Sequence, residues 1–153
     1  MIYNTQMNFL EGKKALVLGI ASNRSIAWGI ADSLHKNGAE LAFTYQNDKL
    51  KGRVETLANE CKSDIIMPCD VSEDGSIKNM LDKLSSKWNE FDIIIHSLAF
   101  APREELEGNY VEKTTKEGFL SAHSISSYSL LELCKEAQPM LKGSSPSVIS
   151  LSY

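Results

Sequence analysis

The apolar run Ala15, Leu16, Val17, Leu18 stops at Gly19, and an amphipathic stripe starts shortly afterwards at Ile26. A strand that leaves through glycine can turn sharply and bring its backbone close to another group. A helix starting just beyond aims its free N–H groups and positive dipole end at that turn, which suits a phosphate. The spacing between Gly19 and Gly29 departs from G-x-G-x-x-G, so the turn alone constrains little. Its weight comes from the rest of the chain, along which the strand-then-helix pattern recurs.

Ile26, Ile30 and Leu34, with Ala27 and Ala31, form an i, i+4, i+8 stripe that closes at Asn37 and Gly38. Residues 41–45 read as a second strand, and Leu50, Val54, Leu57, Ala58 and Cys61 mark a second helix. Residues 65–67, followed by Pro68 and Cys69, read as a third strand. Ile77, Met80, Leu81, Leu84 and Trp88 mark a third helix, for which Ser72 is the expected cap, with Glu73 and Asp74 in the first turn. Residues 91–96 are a continuous apolar strand of the kind buried on both faces. A charged loop spans residues 99–111 and carries Pro102 and Gly108; one long helix is expected over residues 115–141. Residues 143–146 break that helix, and 148–151 begin a fifth strand.

Strands alternating with helices imply right-handed crossovers, hence an α/β fold with a doubly wound parallel (Rossmann-like) sheet. Such sheets bind ligands at the carboxyl ends of their strands. The expected organisation is a single domain over residues 1–153. A complete sheet of this type has six or more strands. The chain stops just after the fifth, so the expectation is a domain incomplete at its C-terminus.

Composition narrows the function. A formal charge of -4 and the lack of a basic stripe exclude a nucleic-acid partner. No apolar run approaches the roughly 20 residues of a membrane span, and the first residues lack the basic and apolar regions of a signal peptide. Cys61, Cys69 and Cys134 are odd in number and form no C-x-x-C pair, so neither a disulfide nor a metal site is expected. These features describe a cytoplasmic soluble domain.

Five short motifs add specificity: Gly19 with Ser25-Ile26-Ala27; Phe43-Thr44-Tyr45-Gln46; Cys69-Asp70-Val71; the run from His96 through Pro102; and Leu151-Ser152-Tyr153. In this order and spacing the chain resembles the bacterial NADH-dependent enoyl-acyl-carrier-protein reductases, a divergent branch of the short-chain dehydrogenase/reductases. The resemblance covers residues 9–153. It implies hydride transfer from NADH to the β-carbon of a 2-enoyl thioester carried by acyl carrier protein, in a homotetramer.

The resemblance places Gly19, Ser25 and Ile26 at the cofactor diphosphate, where Ser25 also reads as a helix cap and Ile26 as an ordinary core residue. Gln46 ends the second strand, where an acidic residue usually takes ribose hydroxyls. Glutamine repels a 2′-phosphate less than a carboxylate does, and the resemblance implies NADH over NADPH. Lys49 and Arg53 nearby read as a solvated helix face. Asp70 is suited to accept from an adenine amino group, or to serve the following helix start, and Val71 fits an apolar wall. The resemblance puts Leu98 and Ala99 at the nicotinamide ribose and Ala101 at the substrate. His96 reads as a core histidine, and Glu104, Glu105 and Glu107 as a solvated acidic loop.

The reaction needs a hydride donor and a hydrogen bond to the thioester oxygen that gains negative charge. By resemblance Tyr153 is the first of two family tyrosines; the second, with its lysine seven positions on, falls beyond Tyr153. The 153-residue chain alone is therefore expected to be inactive. Tyr45 with Lys49, and Tyr128 with Lys135, mimic family spacings at the wrong place in chain order. The serine-rich stretch from Ser124 to Ser129 suggests close helix packing, and in the family that helix lies at a subunit interface. Two other readings stand beside the leading one: a carbonyl reductase of the wider superfamily, and a nucleotide-binding module without catalysis.

Overall fold

The computed structural model describes residues 8–143 and 145–151. The β-type runs become β1 (Lys14–Leu18), β2 (Glu40–Tyr45), β3 (Ile66–Pro68), β4 (Ile93–His96) and β5 (Ser147–Ser150). They form one sheet in the order β3-β2-β1-β4-β5, with every pairing parallel. This is the expected doubly wound α/β architecture.

Both faces of the central strands are apolar because a parallel sheet is covered on both sides. Successive side chains point to opposite faces, and the core divides accordingly. Ala15, Val17, Phe43 and Ile95 pack with residues of α1 (Ile26–Lys36) and α2 (Asp48–Glu60). Leu16, Leu18, Ala42 and Ile94 pack with residues of α3 (Ser76–Ser85) and α6 (Ser129–Ala137). β5 is the edge strand among the described residues, and its Val148 and Ile149 remain exposed. No helix among the described residues is long and apolar enough to cross a membrane.

Three local expectations change. In α1, Ala27 and Ala31 are buried, Ile30 and Leu34 are half-buried, and Ile26 is 69% exposed. The small alanines make the close approach to the sheet, and Ile26, the first residue of the helix, is left outside the core. Ser72 does not cap α3; that position belongs to Gly75, in a left-handed conformation with φ 75°. Ser72 instead gives its N–H and hydroxyl to the Asp70 carboxylate, at 3.0 and 2.6 Å. A short aspartate-centred turn has outcompeted the helix cap.

The long helix expected over residues 115–141 is several pieces. A single turn, α4 (Tyr110–Lys113), precedes α5 (Lys116–His123). The Thr115 hydroxyl caps α5 by accepting from Gly118 N at 3.0 Å. A π-helical turn, Ser124–Tyr128, then separates α5 from α6, and a 3-10 turn at Gln138–Met140 ends the run at Pro139, which has no N–H to donate.

Candidate functional site

A cleft of about 530 Å³ opens at the carboxyl ends of the strands, with Gly19, Gln46, Asp70, Val71 and Leu98 on its walls. It lies where the strand order reverses, between β1 and β4, the place at which open α/β sheets bind ligands. Its size falls within the roughly 300–1,000 Å³ usual for small-molecule sites.

Gly19 has φ +95°, and a Cβ on it would overlap the backbone carbonyl of Ser97 just past β4. The turn after β1 and the exit of β4 are thus in backbone contact, secured by the bond from Ser97 N to Leu18 O at 3.1 Å. Glycine is required here by the fold itself. Residues 22–25 continue as a tight turn in which the Ser25 hydroxyl donates to the Ser22 carbonyl at 2.7 Å. Ser25 occupies the N-cap of α1 but its side chain makes no capping bond. Its expected capping role is therefore replaced by closure of this turn.

At the β2–β3 end, Gln46 Nε2 donates to Asp70 Oδ2 at 3.0 Å while Ser72 serves Oδ1. Desolvation alone would raise the Asp70 carboxyl, but the bonds from Ser72 and Gln46 outweigh it and hold the group below the usual range. Asp70 N in turn donates to Ser76 Oγ at 3.0 Å, fixing the segment to the start of α3. Cys69 lines the same end, and burial pushes its thiol up to about 11, so it stays protonated and unreactive.

The β4 end is built differently. His96 is fully buried. Ser129 Oγ donates to Ile125 O at 2.6 Å and so accepts from His96 Nε2 at 2.8 Å. Nδ1 is then left to accept from the Ser150 hydroxyl at 3.3 Å. Burial lowers the His96 pKa, keeping the ring neutral. Farther along, Ser126 Oγ accepts from Phe100 N at 3.0 Å and donates to Phe100 O at 3.3 Å.

Of the residues given site roles from the sequence, Gly19, Gln46, Asp70, Val71, Leu98 and Ala99 share one cleft. Ser25, Ile26 and Ala101 lie outside its walls, and Tyr153 falls outside the described residues. Glu105 is no free member of an acidic loop: its Oε1 accepts from Thr115 N and Oγ1 at 3.0 and 2.6 Å, joining the loop to α5. Ser121 and Ile125, which also line the cleft, escaped the sequence reading because they arrive from a helix distant in the chain. The serine cluster was the one available signal.

The family model described as enoyl-(acyl carrier protein) reductase matches residues 19–153. The NADH enoyl-[acyl-carrier-protein] reductase FabI of Salmonella typhimurium is 53% identical over 147 residues, covering 96% of this chain and 56% of that protein. The crystal structure of the NADH enoyl-[acyl-carrier-protein] reductase of Aquifex aeolicus matches with a TM-score of 0.90 at 49% identity, over 94% of this chain and 57% of that one. The reductase of Anaplasma phagocytophilum, solved in complex with NAD, matches with a TM-score of 0.89 at 37% identity, over 100% of this chain and 56% of its own. The chain thus spans little more than half the length of the relatives it matches.

Proposed function

The chain belongs to the enoyl-(acyl carrier protein) reductase family, and from that premise we propose that residues 1–153 form one dinucleotide-binding domain of an NADH-dependent reductase. Its substrate is a 2-enoyl thioester on acyl carrier protein. The observation that carries this reading is the cleft at the β1/β4 reversal, with a glycine turn at its middle and the Gln46–Asp70 pair at one end. Those residues fit a dinucleotide: a polar, partly anionic end for adenosine and a backbone turn for the diphosphate. When bound, NADH supplies the hydride that reduces the β-carbon.

The chain's own residues bind and orient. Gln46 Nε2 is committed to Asp70, which leaves its carbonyl oxygen to accept from ribose hydroxyls. The preference for NADH over NADPH follows the relatives named for NADH, since the neutral amide itself opposes a 2′-phosphate less than a carboxylate would. Asp70 accepts from the adenine amino group and Val71 walls the ring. Gly19 and Ile26 present backbone N–H groups to the diphosphate beside Ser25, whose own N–H is held by the Ser22 carbonyl. Leu98 flanks the nicotinamide ribose and Ala101 touches the acyl substrate. Tyr153 is the first of the two family tyrosines, and a phenol hydrogen bond from that pair stabilises the charge developing on the thioester oxygen. Leu120, Tyr128 and Leu131, exposed apolar residues of α5, the π turn and α6, support assembly as a homotetramer; the composition supports a cytoplasmic location.

Titration with NADH and NADPH, followed by nucleotide fluorescence, tests the reading. Tighter binding of NADH is expected, and no binding of either nucleotide overturns it. In the full-length protein, NADH consumption should depend on an added enoyl thioester such as crotonyl thioester.

A further inference from the structure

The π turn between α5 and α6 interrupts the long helical run where it faces the cleft. A π turn inserts an extra residue and re-aims the side chains around it; such turns concentrate at functional sites. Here the turn and the first residue of α6 present two serine hydroxyls to two segments far away in sequence. Ser126 holds Phe100 across 26 residues, taking its N–H at 3.0 Å and giving a proton to its carbonyl at 3.3 Å. Ser129 holds His96 across 33 residues, at 2.8 Å. Residues 97–100 run from one anchor point to the other, and all four line the cleft.

We infer that Ser126 is a positioning residue: with Ser129 it clamps the segment after β4 into the shape that receives the nicotinamide half of the dinucleotide. The inference rests on the proposed function and deepens it. A dinucleotide with its adenosine at Gln46 and Asp70, on β2 and β3, must cross the β1 turn and place its other half at the exit of β4, given the strand order β3-β2-β1-β4-β5. The walls there are short backbone stretches, so their shape depends on what holds them. One hydroxyl satisfying both backbone groups of Phe100 removes that residue's freedom to swing. Pre-ordering a binding segment raises affinity by removing the cost of ordering it on binding.

Ser126→Ala removes the clamp with little burden on folding. Phe100 is 46% exposed, so its released N–H and carbonyl reach water. The probes are NADH, which spans the whole cleft, and ADP-ribose, which lacks the nicotinamide. The variant is expected to bind NADH about tenfold more weakly, the scale of one lost hydrogen bond, and to lose less for ADP-ribose, which keeps the distal ribose but not the ring. Ser126→Thr, which keeps a hydroxyl, is expected to restore the parent ratio of the two affinities. An unchanged ratio in Ser126→Ala, or an equal loss for both ligands, overturns the inference while leaving the proposed function intact. A parent protein that binds ADP-ribose but gains nothing from the nicotinamide half overturns the positioning role, and one that binds neither ligand overturns both readings together.

Discussion

On the β2–β3 side of the cleft, Gln46, Asp70 and Ser72 hold one another through side chains that sit just past strand ends, and Ser72 is only two residues from Asp70. On the β4 side, the Phe100 backbone is held by the Ser126 hydroxyl of the π turn and the His96 ring by the Ser129 hydroxyl at the start of α6, 26 and 33 residues later in the chain. On the proposed function the first half is a recognition surface, in which polar groups keep spare capacity for a ligand. The second is a shaped backbone, in which the polar groups serve one another. A site of this kind reads ligand chemistry at one end and enforces ligand geometry at the other.

Gly19 is where the halves meet, and it gives the largest way to break the comparison. In Gly19→Ala the side chain must adopt φ +95° and also displace the Ser97 carbonyl. Positive-φ strain and overlap with backbone each cost on the order of 1–3 kcal/mol. The expected outcome is a loss of about 3 kcal/mol in denaturant unfolding, with ADP-ribose and NADH binding failing together. Retention of near-parent stability would show that the turn and the β4 exit are not in contact.

The next effect separates the halves. Ser129→Ala leaves the buried His96 Nε2–H without a partner, a penalty of about 1–3 kcal/mol. Denaturant unfolding should report that loss, while ADP-ribose affinity, which depends on the β2–β3 side, stays at the parent value. A matching drop in ADP-ribose binding would show that the two sides are not independent.

Asp70→Asn acts in the other half and more weakly. The amide keeps an acceptor for Ser72 but sets a donor against Gln46 Nε2. Gln46 must turn its carbonyl inward, away from a ribose. ADP-ribose affinity is expected to fall by about threefold to tenfold, with unfolding stability nearly unchanged. Equal ADP-ribose affinity in variant and parent would remove the pair from the recognition surface.

This asymmetry also explains how much was legible in the chain. The sheet followed from periodicity, since Ala15 and Val17 face one layer and Leu16 and Leu18 the other. Gln46 and Asp70 were visible because each stands immediately beyond an apolar run that ends at the site. The β4 side was not, because helix periodicity cannot announce a π turn, and the contacts of Ser126 and Ser129 span long sequence separations. Ile26 was misplaced because a periodic stripe does not say where along a helix the sheet ends. Ser72 was misread as a helix cap because Asp70, two residues before it, competes for the same hydroxyl.

His96 supplies the smallest effect and extends the comparison to pH. Burial holds its pKa below the ordinary 6.5, so the folded ring stays neutral where the unfolded one begins to charge. As pH falls through about 6.5 toward the folded value, the unfolded chain binds more protons and stability declines. Below the folded value both forms are protonated, and the decline from this group stops. His96→Asn cannot titrate and retains an N–H for Ser129. Denaturant midpoints measured between about pH 8 and pH 5.5, a window that brackets the ordinary histidine value, should therefore fall more in the parent than in the variant. The same acidification should spare the Asp70 pair, whose carboxyl lies below the usual range and whose contribution is lost only at still lower pH. Identical pH slopes in parent and variant would mean that the ring is not held neutral by its burial, and that the β4 side has no acid sensitivity of its own.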